Sequence, residues 1–261
     1  MRYLMFLWLL LLPSAAFALN PFEATGIDQR PGVQVPFDLP FTDENGRATT
    51  LGQLSEGKPI LLAPVLHDCP NICGVTLSGL MEAVEAQDFQ PGRDFTIIAF
   101  GIDPKEGRQE AANSLTELRK RFSQTASSGV HALTGTEKDI RAVTDALGYR
   151  YAWDDTIQQY AHLAAVAVLT PEGRLSRWLY GLAPAANDLK LALTEAGQGR
   201  TGSWGDRLLL LCYHYDPATG RYSSIVWTAL RIGGGGTALV GAGAIAVALL
   251  RERRRAREGR T

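Results

Sequence analysis

The sequence predicts an α/β domain built on a central mixed sheet, and three observations predict it. Residues 59–66 and 95–102 are continuous apolar runs, the mark of strands buried on both faces. Each is followed by a segment with helical spacing of apolar residues. Two later apolar runs, 163–169 and 175–180, flank the turn Pro171-Glu172-Gly173 and read as an antiparallel hairpin. Strands alternating with helices bury a sheet beneath helical layers.

Taken in order, residues 31–54 are punctuated by proline and glycine, with apolar and polar residues alternating over 33–39, so short strands and turns are predicted there. The strand at 59–66 runs straight into Cys69-Pro70-Asn71-Ile72-Cys73. Leu77, Leu80, Met81 and Val84 then set a helix over 76–87. The strand at 95–102 ends at Asp103-Pro104. A charged amphipathic helix is predicted over 106–122, and another over 138–147 stopped by Gly148. Residues 153–160 read as a loop before the late hairpin, and a helix over 187–196 is closed by Gly197. A buried strand, a cysteine pair, a helix and a late hairpin is the order of a thioredoxin-type fold.

The ends of the chain carry membrane signals. Arg2, an apolar run over 4–12 and Ala16-Phe17-Ala18 read as a secretory signal peptide over 1–18. Residues 232–250 are uncharged and, at about 1.5 Å per residue, just span a hydrocarbon core of about 30 Å. Five arginines among residues 251–257 follow, which places the C-terminus inside. The expected organisation is a signal peptide (1–18), an N-terminal extension (19–30), a folded domain (31–200), a juxtamembrane segment (201–228), a transmembrane helix (229–250) and a basic cytoplasmic tail (251–261). The protein would then be single-pass in a bacterial inner membrane, contacting lipid through that helix, with its domain in the oxidising periplasm. A net charge of −1 gives no reason to expect nucleic acid as a partner.

Three cysteines are too few for a disulfide scaffold. Cys69 and Cys73 stand four apart, which on a helical turn puts both on one face with Cβ atoms about 5–6 Å apart. Their sulfurs can bond to each other or bind one metal ion. A helix N-terminus lowers a thiol pKa, and the thiolate is both ligand and nucleophile. Soft thiolates select copper(I) or zinc, and a Cys2His set suits copper in either redox state. Of the four histidines, His67, His131, His162 and His214, the best third ligand is His162, because the turn before the late hairpin of such a fold faces the cysteine loop.

The chain resembles the SCO/SenC family of copper-binding, thioredoxin-like proteins of cytochrome c oxidase assembly. The resemblance rests on Gly26-Ile27-Asp28-Gln29, Cys69-Pro70-Asn71-Ile72-Cys73, Ile102-Asp103-Pro104, Tyr160-Ala161-His162, Leu169-Thr170-Pro171-Glu172-Gly173-Arg174, Tyr180-Gly181 and Leu211-Cys212-Tyr213-His214-Tyr215-Asp216-Pro217. The last of these, followed by a membrane helix, is similar to a bacterial branch with a C-terminal anchor. The resemblance implies a copper ion, Cu(I) or Cu(II), held by Cys69, Cys73 and His162. It implies that Asp103 shapes the site rather than binding the ion; a turn or helix cap is the other role open to that residue. The implied function is delivery of copper to the CuA centre of cytochrome c oxidase, with the CuA subunit or another copper-dependent oxidase as partner. The alternative is a thiol–disulfide reductase, with Cys69 and Cys73 catalytic, that reduces client cysteines before metallation. Gly74 stands where many members have proline, and Asp68 is an acidic neighbour that would raise the Cys69 pKa. His67 is a candidate extra ligand. Cys212 and His214, one residue apart, would share a face of an extended strand and form a candidate second site.

Overall fold

The computed structural model describes residues 24–68 and 73–197 (Cys73 by its backbone), the backbone of 213–216 and 221–224, and residues 235–237, 239–241 and 243. The predicted signal peptide, the basic tail, Cys69, Cys212 and most of the predicted membrane segment lie outside these. Among the described residues, no helix is long and apolar enough to cross a membrane.

In chain order the elements are β1 (Gly26–Ile27), β2 (Phe41–Asp43), β3 (Ala48–Thr49), α1 (Leu51–Ser55), β4 (Ile60–Val65), α2 (Cys73–Glu85), β5 (Thr96–Gly101), α3 (Arg108–Arg121), β6 (Val130–Thr134), α4 (Glu137–Leu147), β7 (Tyr149–Arg150), β8 (Ala152–Asp154), β9 (Gln159–Ala161), β10 (Ala165–Leu169), β11 (Leu175–Tyr180), α5 (Ala186–Ala196), β12 (Tyr213–Asp216) and β13 (Arg221–Ser224). Seven strands form the central sheet in the order β11-β10-β4-β5-β6-β2-β3. The β4–β5 and β5–β6 pairings are parallel; β10 runs antiparallel to β4, β11 to β10, and β2 to β6. The mixed sheet expected from the sequence is therefore present.

The central strands are apolar throughout because both faces are covered. Every residue of β4, β5 and β10 is buried. Helix α2 packs against both α3 and α5. The helix ends follow local chemistry. Thr50 caps α1 by accepting from Gln53 N, while Gln53 accepts from Thr50 N. Thr136 caps α4 in the same manner by accepting from Asp139 N. At the other end of α4, Gly148 has φ +71°, and a Cβ there would meet Asp28 O at 2.2 Å. Only glycine allows this close approach, which lets Asp28 N donate to Gly148 O at 2.8 Å. The adjoining β1 pairs with β7. Residues 26–28, placed by the sequence in an extension, are thus strapped to the chain beside Tyr149.

Two boundaries differ instructively from the sequence reading. Residues 153–160, expected as a loop, are mostly a hairpin of β8 and β9. Trp153 and Tyr160 sit opposite each other with rings edge-to-face at 5.3 Å, and Asp154 Oδ1 accepts from Thr156 N to turn the chain. A short polar turn sequence hid two short strands. The strand expected from residue 163 begins at Ala165, because the Leu163 carbonyl accepts from the Tyr149 hydroxyl at 2.6 Å instead of a ladder partner.

Candidate metal and thiol site

Sheet topology brings the sequence-predicted residues to one end. β4 and β5 are parallel neighbours, so the chain leaves both at the same edge, into the Cys69 loop and into the Asp103 turn respectively. Such strand ends are where open α/β sheets place ligands. β10 is antiparallel to β4, with Ala167 opposite Leu62 and Leu169 opposite Ile60. Its start therefore lies beside the end of β4. Position 162 stands three residues before β10 begins, on that same side of the sheet. Cys73 is the first residue of α2, whose first turn holds no acidic residue. The positive end of that helix favours a thiolate at this position.

His162 is held by neighbours that decide its tautomer. Its Nδ1 lies 3.0 Å from the Tyr149 hydroxyl and 3.2 Å from Leu163 O. The hydroxyl has one hydrogen, and at 2.6 Å it donates to Leu163 O. The Tyr149 oxygen and the carbonyl are then both acceptors toward the ring, so Nδ1 carries the proton. The lone pair belongs to Nε2, the nitrogen a metal would use. Burial holds the His162 pKa below its ordinary value, against the raising effect of the Leu163 carbonyl, so the ring is neutral at pH 7. Tyr149 is itself fixed: it is 1% exposed and stacks on the fully buried Trp178 at 5.5 Å. That pair contributes roughly 0.5–1.5 kcal/mol beyond its area.

The other flank is acidic. Asp103 Oδ1 accepts from Lys105 N at 2.8 Å, and its carbonyl accepts from Glu106 N, so Asp103 forms the turn between β5 and α3. Glu106 Oε1 accepts from Asp68 N at 2.8 Å. Glu106 Oε2 is buried with no hydrogen-bond partner. Burial pushes the Glu106 carboxyl up to about 7; the Asp68 and His67 backbone N–H groups pull it down, and the nearby Asp103 and Asp68 push it up. Asp68, Asp103 and Glu106 share a cleft of about 290 Å³ with Gln158 and Gln159 of the β8–β9 hairpin, so the hairpin that leads into His162 and the residue preceding Cys69 face one cleft. Lys105 Nζ stands 4.7 Å above the Trp153 ring on the same hairpin.

His67 is buried beneath this junction. Its Nε2 is 3.0 Å from Leu133 O, while Nδ1 has no partner. The ring sits where a side chain at position 101 would be, since a Cβ on Gly101 would come within 2.9 Å of it. Burial keeps it neutral, lowering its pKa. The Leu133 carbonyl can only accept, so Nε2 carries the proton. His131 lies elsewhere, beside Glu44 at 3.7 Å.

Of the sequence-predicted site residues, His162 and Asp103 are thus both at the edge where β4 ends. Cys73 is there by its backbone, and Cys69 lies outside the described residues. His214 falls in β12, of which only the backbone is described. Among the described residues, no group of three or more histidine, cysteine and acidic residues is gathered as a metal cluster. Sequence reasoning missed Tyr149 and Glu106. Tyr149 had a weak signal, an aromatic directly after a helix-ending glycine; Glu106 had none, because its role depends on a loop 38 residues away.

The SCO1/SenC family model matches residues 26–191. The chain belongs to the SCO1/SenC family. No curated protein matches it closely enough in sequence to add to this. Among solved structures, two proteins of Aquifex aeolicus VF5, provisionally assigned to electron transfer and electron transport, are similar. The first is 25% identical with a TM-score of 0.57, covering 67% of this chain and 98% of its own. The second is 26% identical with a TM-score of 0.53, covering 65% and 99%. Arabidopsis thaliana ScoI, solved with copper bound, is 18% identical with a TM-score of 0.48, covering 64% and 98%. The fold of this SCO1/SenC member is thioredoxin-like, with Cys73 as the first residue of α2.

Proposed function

We propose that this protein is a membrane-anchored copper metallochaperone. It takes copper as cargo on Cys69, Cys73 and His162 and delivers it to the CuA centre of a terminal oxidase. The observation that carries this reading is the His162 tautomer: a neutral imidazole with its lone pair on Nε2, just before β10, the strand that pairs with the one running into the cysteine loop. The donor set fits the cargo. Two thiolates and one imidazole suit copper in both redox states, and Tyr149 supplies the outer hydrogen bond that orients a ligating histidine. Family membership supports the same reading. The signal peptide and the apolar segment at 232–250 support a periplasmic domain tethered in the inner membrane, close to a membrane-bound client.

The deciding experiment mixes copper-loaded full-length protein with an apo CuA domain. Metal transfer with no loss of thiols is the expected outcome. Reduction of a client disulfide by metal-free protein, with no transfer by the loaded form, would replace the reading with a thiol–disulfide reductase using the same two sulfurs.

A further inference from the structure

Glu106 has an arrangement that its place in the fold does not demand. It sits in a turn fixed from both sides. Asp103 Oδ1 holds Lys105 N before it, and Glu110 Oε2 accepts from Gly107 N at 2.8 Å after it. The turn continues the parallel ladder, since Ile102 N donates to Val65 O at 3.0 Å. From this fixed base the Glu106 carboxylate reaches across to the neighbouring strand end and takes the Asp68 N–H. It contacts backbone, so the sequence of the cysteine loop does not alter the contact. The surroundings oppose a charge there: Asp68 and Asp103 are close, and Oε2 is buried with no partner. Leu66 and His67, immediately before, are buried, and His67 Nε2 is within hydrogen-bond distance of Leu133 O. Asp68, whose N–H is held in this way, directly precedes Cys69 in the chain.

We infer that Glu106 is a positioning residue: by accepting the Asp68 N–H it fixes the direction in which the chain enters the Cys69–Cys73 loop, and so where the sulfurs stand relative to His162. The consequence for metal rests on the proposed copper reading; the anchoring of Asp68 does not. Its mode of action is the acceptor oxygen, so a glutamine of the same length performs it and an alanine does not.

The test uses full-length protein with Glu106→Ala and Glu106→Gln, both checked for wild-type secondary structure. Amide exchange at Asp68, measured by NMR on reduced metal-free protein, is expected to quicken by about tenfold in Glu106→Ala and to stay within about threefold of wild type in Glu106→Gln. In the copper(II) form, the sulfur-to-copper absorption is expected to shift in Glu106→Ala, with affinity lowered about tenfold, and to return with Glu106→Gln. Wild-type exchange and absorption in Glu106→Ala would overturn the inference, as would Glu106→Gln behaving like Glu106→Ala. Should wild-type protein bind no copper, the proposed function fails, and the exchange measurement alone decides whether Glu106 holds the chain.

Discussion

The two flanks of the site are built on opposite principles. On the β10 side, His162 is neutral, its Nδ1 proton is shared between two oxygens, and the tyrosine that orients it is stacked on a buried tryptophan. On the β5 side, Glu106 presents a carboxyl near two others, with one oxygen engaged and one not. Glu44 shows that the fold can settle a buried acid: burial alone would raise its pKa, but a hydrogen bond to His131 and the backbone N–H groups of Glu44 and Ala132 bring it below the ordinary value. Glu106 also takes backbone N–H groups, those of Asp68 and His67, but has no cationic partner, and Asp103 and Asp68 add to the effect of burial, so its pKa stays raised. One flank fixes an imidazole in a single tautomer, and the other sets a carboxyl that opposes its own charge against the residue preceding Cys69.

The contrast is broken most severely at His162. Replacing it with alanine removes the imidazole that the sheet topology brings to the edge where β4 ends. Copper(I) affinity, measured by competition with a chromophoric chelator, is expected to fall on the order of 100-fold or more. An unchanged affinity would remove His162 from the ligand set. A gentler cut is Tyr149→Phe, which keeps the ring stack and deletes the hydroxyl. It frees the histidine to change tautomer and leaves Leu163 O with one donor fewer. Copper affinity should fall about tenfold and unfolding free energy by about 1 kcal/mol in urea titration. A loss of stability with wild-type affinity would show that the hydroxyl holds the strand start and not the ligand.

The smallest effect sharpens the acidic side. The Glu106 pKa rises from 4.5 to about 7 on folding, so between those values the native state binds more protons than the unfolded state. Stability attributable to this group is full below about pH 4.5 and is lost as pH rises through 7. Glu106→Gln should lack that decline. The difference between the two proteins, measured by urea unfolding from pH 4 to pH 8, should grow by about 1–2 kcal/mol in favour of the variant, after allowance for solvent screening of a partly exposed group. Parallel pH profiles would show that the carboxyl is not perturbed.

Much of this was legible in the sequence. The apolar runs that became β4, β5, β10 and β11 could hardly have formed anything but buried strands, and the Cys69–Cys73 spacing marked the pair on which the proposed chemistry rests. The Asp103-Pro104 pair marked a turn, which is what Asp103 makes. What stayed hidden depends on partners far apart along the chain. The β8–β9 hairpin is made of strands too short for a period to register, held by the Trp153–Tyr160 pair. Tyr149 follows the glycine that stops a helix, and its role shows only where its hydroxyl meets His162 and Leu163. Glu106 looked like the first residue of an amphipathic helix; the helix begins instead at Arg108, and the carboxylate is spent on Asp68.

The most direct test of the account is the coordination shell of the copper-loaded full-length protein, read by X-ray absorption with the wild type and His162→Ala side by side. Two sulfurs and one imidazole nitrogen in the wild type, with the imidazole lost in the variant, is the predicted result. A wild-type shell with no imidazole, or one that the variant leaves unaltered, would contradict it.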